Sequence, residues 1–134
     1  MSLKEADRKA LVVLGMEKSD KMVDEVRRLV DYSMWSLAAN RLYYALFHAV
    51  TAMLISDNHP VGTHRGAINN FSLYYVKTGI FTREEGKLYS QLQQLRDDGD
   101  YNCAVDVDRD DVEPKIAPTL SLIEKIRKRV SNSK

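Results

Sequence analysis

The chain has 134 residues, 44% apolar and 29% charged, and its 20 Lys and Arg against 19 Asp and Glu leave a formal net charge of +1. This length suits a single domain, and the composition excludes a disordered or low-complexity chain. The near-neutral balance gives no overall case for non-specific nucleic-acid binding, and the single cysteine, Cys103, excludes an internal disulfide framework and any multi-cysteine zinc site. No apolar run reaches the ~18 residues a membrane-spanning helix needs, and the opening MSLKEADRKA lacks the apolar core of a signal peptide. One free cysteine and no leader point to a reducing cytoplasm.

Six glycines and three prolines in this length leave long uninterrupted stretches, which favours helices. Ser2 with Glu5 predicts a capped first helix ending near Gly15. Ser19–Asp20 then opens a second, in which Met22, Val23, Val26, Leu29 and Val30 make an apolar stripe. From Met34 to Ile55 the chain is apolar nearly all round, as expected of a helix at the centre of a bundle. Asp57, Asn58, Pro60 and Gly62 mark a loop. Thr63 predicts the cap of a helix to Thr78 with Gly79 past its end, although SLYYV within it has strand-like composition. Thr82 and Glu85 form a capping box for a helix to about Arg96, and Gly99 weakens the helix there. A last helix is expected from Asp110 or Asp111 to Val130. Pro114 suits its first turn, and Pro118 predicts a kink or a late start. The expectation is an all-α, up-down bundle of four to five helices in one domain over 1–134, with its core over about 18–130.

Charge is uneven late in the chain. Residues 96–113 carry a local −6 and residues 115–134 a local +5. Dipole complementarity along the last helix accounts for this, and the other reading is a basic tail that meets RNA or an acidic partner. Asp106, Asp108 and Asp110 resemble the opening of a calcium loop, but Asp111 and Ala117 stand where that loop needs Gly and Glu. His59 and His64 have no cysteine or paired acid beside them, so no metal is expected, and no cofactor motif is present. Nothing around Cys103 lowers a thiol pKa, so it reads as a packed residue.

The unusual segment is Asn40-Arg41-Leu42-Tyr43-Tyr44-Ala45-Leu46-Phe47-His48, which sets Arg41, Tyr44, Ala45 and His48 on one helix face. An arginine in a bundle core needs a partner, and Asp100 is the candidate. In a structural reading, Arg41 with Asp100 and His48 with a neighbour form a polar network. Arg41→Ala should then cost a few kcal/mol by stranding Asp100. In a catalytic reading, His48 is a base for a ribose 2′-hydroxyl and Arg41 the cation at phosphorus, a pairing that cleaves RNA without metal.

The run AANRLYYALFHAV, the His64-Arg65-Gly66 stretch and LRDDGDYN, in that order, resemble the HEPN superfamily (higher eukaryotes and prokaryotes nucleotide-binding), in particular its small prokaryotic branch with NRxYYAxFHA and RxxGDY motifs. The resemblance covers about residues 18–130. It implies a four- or five-helix bundle that dimerises, kinship with metal-independent endoribonucleases marked by Arg, four to six residues, then His, and a toxin–antitoxin setting beside a minimal nucleotidyltransferase. Arg41 and His48 meet the loose spacing. The hallmark of active members lies nearer LRDDGDYN, where Arg96 is followed five residues on by Tyr101 rather than His. By the resemblance, Arg41, His48, Arg96 and Tyr101 are candidate catalytic residues, with Asn40, Tyr44, His64 and Asp100 in a binding or structural network. A non-catalytic reading makes the chain a nucleotide- or protein-binding module, the partner of a nucleotidyltransferase, with Tyr101 as an AMP acceptor. A third reading is a plain dimeric scaffold with aromatic anchors from the third helix.

Overall fold

A computed structural model describes residues 4–132; the expected Ser2 cap lies outside them. The elements are α1 (Glu5–Asp31), α2 (Trp35–Ser56), α3 (His64–Phe71) with a π-helical turn (Ser72–Val76), α4 (Arg83–Tyr101) and α5 (Arg109–Asn132). Among the described residues there is no strand. α1, α2, α4 and α5 run alternately up and down, and α2 packs on the other three.

The two helices expected before Asp31 are one. Gly15 does not end a helix, because its missing side chain serves a helix–helix contact. A Cβ there would lie 3.0 Å from the Ala52 Cβ and 3.4 Å from the His48 carbonyl oxygen. One turn on, the buried Ser19 hydroxyl donates to the Ala45 carbonyl at 2.7 Å. Small residues at 15 and 19 thus let α1 lie close against α2 without leaving a buried hydroxyl unpaired.

α2 is central, as its all-round apolarity requires. Leu42, Tyr43, Leu46, Met53 and Leu54 are fully buried. They meet Phe71, Tyr75, Tyr89, Leu92, Leu122, Ile123 and Ile126 in the main core. A smaller cluster of Ala38, Ala39, Val107 and Val112 seals the end where α1 turns into α2 and α4 into α5.

Thr63 caps α3 by accepting from the Gly66 amide at 3.0 Å. The strand-like SLYYV is helical but wound as a π turn, and Gly79 ends the run at φ +81°. The aromatics of this stretch are mostly buried. Phe71 and Tyr75 are core residues, and Tyr74 stacks on His59 at 3.9 Å. The Tyr75 hydroxyl donates to Asp57 at 2.6 Å, and Asp57 also takes Arg129 at 3.1 Å, which ties the turn to α2 and α5.

The Thr82–Glu85 capping box forms reciprocally. α4 runs past Arg96 to Tyr101 because Gly99 is again a contact point, facing Ser36. α5 begins at Arg109, where the Asp108 and Asp111 backbone amides each donate to the other residue's carboxylate as a cap. Pro118 does not delay the helix, which runs unbroken through Pro114 and Pro118. Both prolines face solvent.

Candidate functional site

The outer face of α2 and the last two turns of α4 meet in a continuous polar chain. It starts on α1, where Glu25 accepts from Arg41 Nε at 2.9 Å. Arg41 Nη1 donates to Asn40 Oδ1 at 2.5 Å, and Asn40 Nδ2 donates to Asp100 Oδ2 at 2.9 Å. The same Asp100 oxygen lies 3.5 Å from Arg96 Nε, and Arg96 Nη2 donates to the Tyr101 hydroxyl at 3.2 Å. Five sequence-predicted residues, Asn40, Arg41, Arg96, Asp100 and Tyr101, therefore stand together.

The expected Arg41–Asp100 pair does not form. Arg41 follows Asn40 by one residue, about 100° around the helix. Asn40 consequently faces α4 and Arg41 faces α1, where Glu25 waits. Nor is Arg41 a core arginine: its side chain is 35% exposed, half-buried at the rim. Glu25 escaped the sequence reading. It sits at the margin of the apolar stripe of its own helix, and only the register of α1 against α2 brings it to Arg41.

Arg96 is the more enclosed cation, with its side chain 13% exposed. Its guanidinium carbon lies 5.3 Å from the Tyr43 ring centre, 5.4 Å from Tyr44 and 5.5 Å from Tyr101. Asp97 lies 3.5 Å from Nη1. Three aromatic faces and two carboxylates thus hold this guanidinium, an arrangement suited to the planar arginine fork rather than to lysine. Tyr101, in contrast, is 72% exposed and carries its hydroxyl at the surface.

The two histidines form a second patch, joined to the first by Tyr44. His48 packs on Phe47 at 5.4 Å and on Tyr44 at 6.3 Å. His64, at the start of α3, lies 4.5 Å from Phe47 and 5.4 Å from Tyr44. Burial pushes the His48 pKa below its ordinary 6.5, helped by Lys18 and by His64. His48 is thereby neutral at pH 7, the state a general base needs. Of the predicted face, Arg41, Tyr44 and His48 are half-buried at the surface, while Ala45 belongs to the core. His59 stands apart on Tyr74. No group of three His, Cys, Asp or Glu among the described residues could hold a metal ion.

Several basic residues of α5 are engaged within the fold, while Lys128 is exposed. Lys125 pairs with Glu85 at 2.9 Å, Arg127 with Asp20 at 2.5 Å and Glu124 at 3.0 Å, and Arg129 with Asp57 at 3.1 Å. These three stitch α5 to α1, α2 and α4. No helix among the described residues is long and apolar enough to cross a membrane.

Comparison with known proteins bears on the family of the fold. A "UPF0332 protein" of Thermotoga maritima is 27% identical over 96% of this chain and 97% of its own length. Two proteins of Methanocaldococcus jannaschii named "Putative toxin" are also similar. One is 22% identical over 73% of this chain and 67% of its own, the other 29% identical over 64% of each. The HEPN domain family model matches residues 13–130, most of the bundle including the Gly15 contact and the α5 core stripe, and the chain belongs to the HEPN domain family.

Proposed function

We propose that this protein is the toxin-type member of a two-protein system and acts on RNA or a nucleotide at the Arg41–Asn40–Asp100–Arg96–Tyr101 chain. The observation that carries the reading is Arg96, enclosed by three tyrosines and bonded to an exposed tyrosine hydroxyl, where the family hallmark also begins with Arg. The names of the archaeal relatives support the toxin setting.

RNA cleavage without metal requires two things. A base removes the proton of the ribose 2′-hydroxyl, whose oxygen attacks the adjacent phosphorus; a cyclic phosphate forms and the 5′-oxygen leaves with a proton. A cation meanwhile holds the phosphoryl oxygens as charge builds on them. In this site His48 is the neutral base, and Arg96 with Arg41 supplies the guanidinium forks. Tyr44 lies against both His48 and Arg96 and offers a ring for a base to stack on. A cytoplasmic location and a homodimer belong to the same reading, with the exposed Leu11 and Leu14 of α1, one turn apart, as apolar contacts.

The test is cleavage of a labelled RNA by the purified protein in chelator. Loss in Arg96→Ala and His48→Ala, with helicity intact, is the expected result. Cleavage unchanged in both refutes the assignment.

A second reading rests on the exposure of Tyr101. Its phenolic oxygen could attack the α-phosphorus of a nucleoside triphosphate held by a nucleotidyltransferase. Pyrophosphate would leave, the phenol proton would pass to solvent, and Arg96 would face the new phosphodiester. Co-expression with a nucleotidyltransferase should then add one nucleotide to the wild type and none to Tyr101→Phe. An unshifted wild-type peptide counts against it.

A further inference from the structure

Cleavage by the route proposed above ends with a proton on the departing 5′-oxygen. His48 takes a proton in that reaction and the guanidiniums hold theirs, so another group has to supply it. A phenol is a much weaker acid than an imidazolium, which sets a histidine ahead of Tyr44 and Tyr101. His59 stacks on Tyr74, away from the site. His64 is the histidine that the fold brings to it.

His64 is the first residue of α3, and Thr63 fixes its backbone by capping the helix. Its ring packs on α2, 4.5 Å from Phe47 and 5.4 Å from Tyr44. His48 packs on the same two rings, at 5.4 Å and 6.3 Å. Phe47 is 4.5 Å from one imidazole and 5.4 Å from the other, so their centres are no further apart than those two distances laid end to end, about 10 Å. Both histidines are half-buried at the surface, and no carboxylate pairs with either among the described residues. Tyr44 carries a third group on its ring, the Arg96 guanidinium at 5.4 Å. A base, a second imidazole and a guanidinium therefore surround one tyrosine.

That spacing suits displacement at phosphorus. The attacking and departing oxygens lie on opposite sides of the phosphorus, and each takes a hydrogen bond of about 3 Å, so the nitrogens of base and acid stand roughly 6–9 Å apart. The charges agree with this division. A proton on His64 lowers the affinity of His48 for a second one, and burial and Lys18 act on His48 in the same direction.

We infer that His64 is the general acid of this site, with the scissile phosphodiester against Tyr44 between His48 and His64. The inference rests on the nuclease reading above and completes its proton transfers. As the bond from the 2′-oxygen to phosphorus forms, His48 takes the 2′-hydroxyl proton. As the bond from phosphorus to the 5′-oxygen breaks, its electron pair stays on that oxygen and the His64 imidazolium gives it a proton. The products are a 2′,3′-cyclic phosphate and a free 5′-hydroxyl, and the two histidines return to their starting states by exchanging protons with water.

The test uses a labelled RNA in which the linkage cut by the wild type has been mapped, and the same RNA with sulfur in place of the bridging 5′-oxygen at that linkage, both in chelator. A thiol is a far stronger acid than an alcohol, so the sulfur leaves as a thiolate and needs no donor. His64→Ala should cut the all-oxygen RNA about a hundredfold or more slower than the wild type, and sulfur should bring it back to within about tenfold of the wild type on the same RNA. His48→Ala should stay slow on both, because the base is still needed. His64→Gln keeps much of the side-chain volume and serves if His64→Ala loses helicity by circular dichroism. Cleavage of the all-oxygen RNA by the His64 variants at the wild-type rate overturns the inference. So does equally slow cleavage of both RNAs, which would make His64 a positioning residue. A wild type without cleavage strikes the nuclease reading and this inference with it, whereas failure confined to the His64 variants leaves the nuclease reading standing.

Discussion

Replacing Arg96 separates what holds the bundle from what the site does. Its guanidinium meets three aromatic rings, and in a largely enclosed position each such contact contributes roughly 0.5–1 kcal/mol. The hydrogen bond to Tyr101 adds about 1 kcal/mol, and the two carboxylates at 3.5 Å contribute about 0–1 kcal/mol each. These contacts share one group and are not independent, so the expected loss in Arg96→Ala is about 2–3 kcal/mol rather than their total. That corresponds to a fall in thermal midpoint of roughly 8–12 °C for a domain of this size. Arg96→Lys keeps the charge and much of the stem burial but loses the fork and the planar stacking. It should lose about half as much stability and still fail to cleave RNA. Urea titration followed by circular dichroism gives the first quantity, and the chelator cleavage assay gives the second. An Arg96→Ala protein within about 0.5 kcal/mol of wild type would refute the enclosed-cation picture. A fully active Arg96→Lys protein would refute the need for a guanidinium.

Arg41→Ala should cost only about 0–1 kcal/mol, because its pair with Glu25 is half-exposed and Asp100 keeps Asn40 and Arg96; a loss near 3 kcal/mol in urea would restore the buried-pair idea. Tyr43→Phe should match wild type or gain up to about 1 kcal/mol, since the Tyr43 hydroxyl is buried without a partner and its pKa is pushed up to about 12; a clear loss in midpoint would mean the hydroxyl is bonded. His48 gives a pH dependence of fixed sign. Its folded pKa lies below 6.5, so the unfolded chain takes the proton first. Its contribution is complete above pH 6.5 and is lost as pH falls toward the folded pKa. His48→Gln should flatten the fall in thermal midpoint between pH 7 and pH 5, and an unchanged slope would remove His48 as its source.

What could be read from the sequence divides by the range of the interaction. Thr63, Thr82 and Glu85 were legible because a cap is decided within four residues, and each side chain makes the predicted bond. α2 was legible because its apolar residues, among them Leu42, Leu46, Val50, Met53 and Leu54, outnumber the few polar ones around most of its circumference. Gly15, Ser19 and Gly99 were not, because each is explained by a residue on another helix: Ala52, Ala45 and Ser36. Gly15 and Gly99 therefore looked like helix ends when they are helix contacts. The site shows the same division. Asn40, Arg41, Arg96, Asp100 and Tyr101 could be named from two local motifs, whereas the wiring among them depends on how α1, α2 and α4 are rotated. One residue of rotation gave Asp100 to Asn40 and Arg41 to Glu25.

That wiring bears on how a phosphate would bind. Both guanidiniums are already answered by carboxylates, Arg41 by Glu25 and Arg96 by Asp97 and Asp100. An incoming phosphate therefore meets no bare positive field. It must exchange with an acid, and the released acid stays beside it and repels it. Neutralising the acid is consequently a stronger lever than adding a base elsewhere. Glu25→Gln frees Arg41 while keeping the shape of the pair, and should tighten RNA binding by the proposed site. The salt dependence should steepen with it, because one more uncompensated cation then exchanges its counterions for phosphate. Tightening without a steeper salt slope would mean that Glu25 acts by blocking space rather than by holding the charge of Arg41.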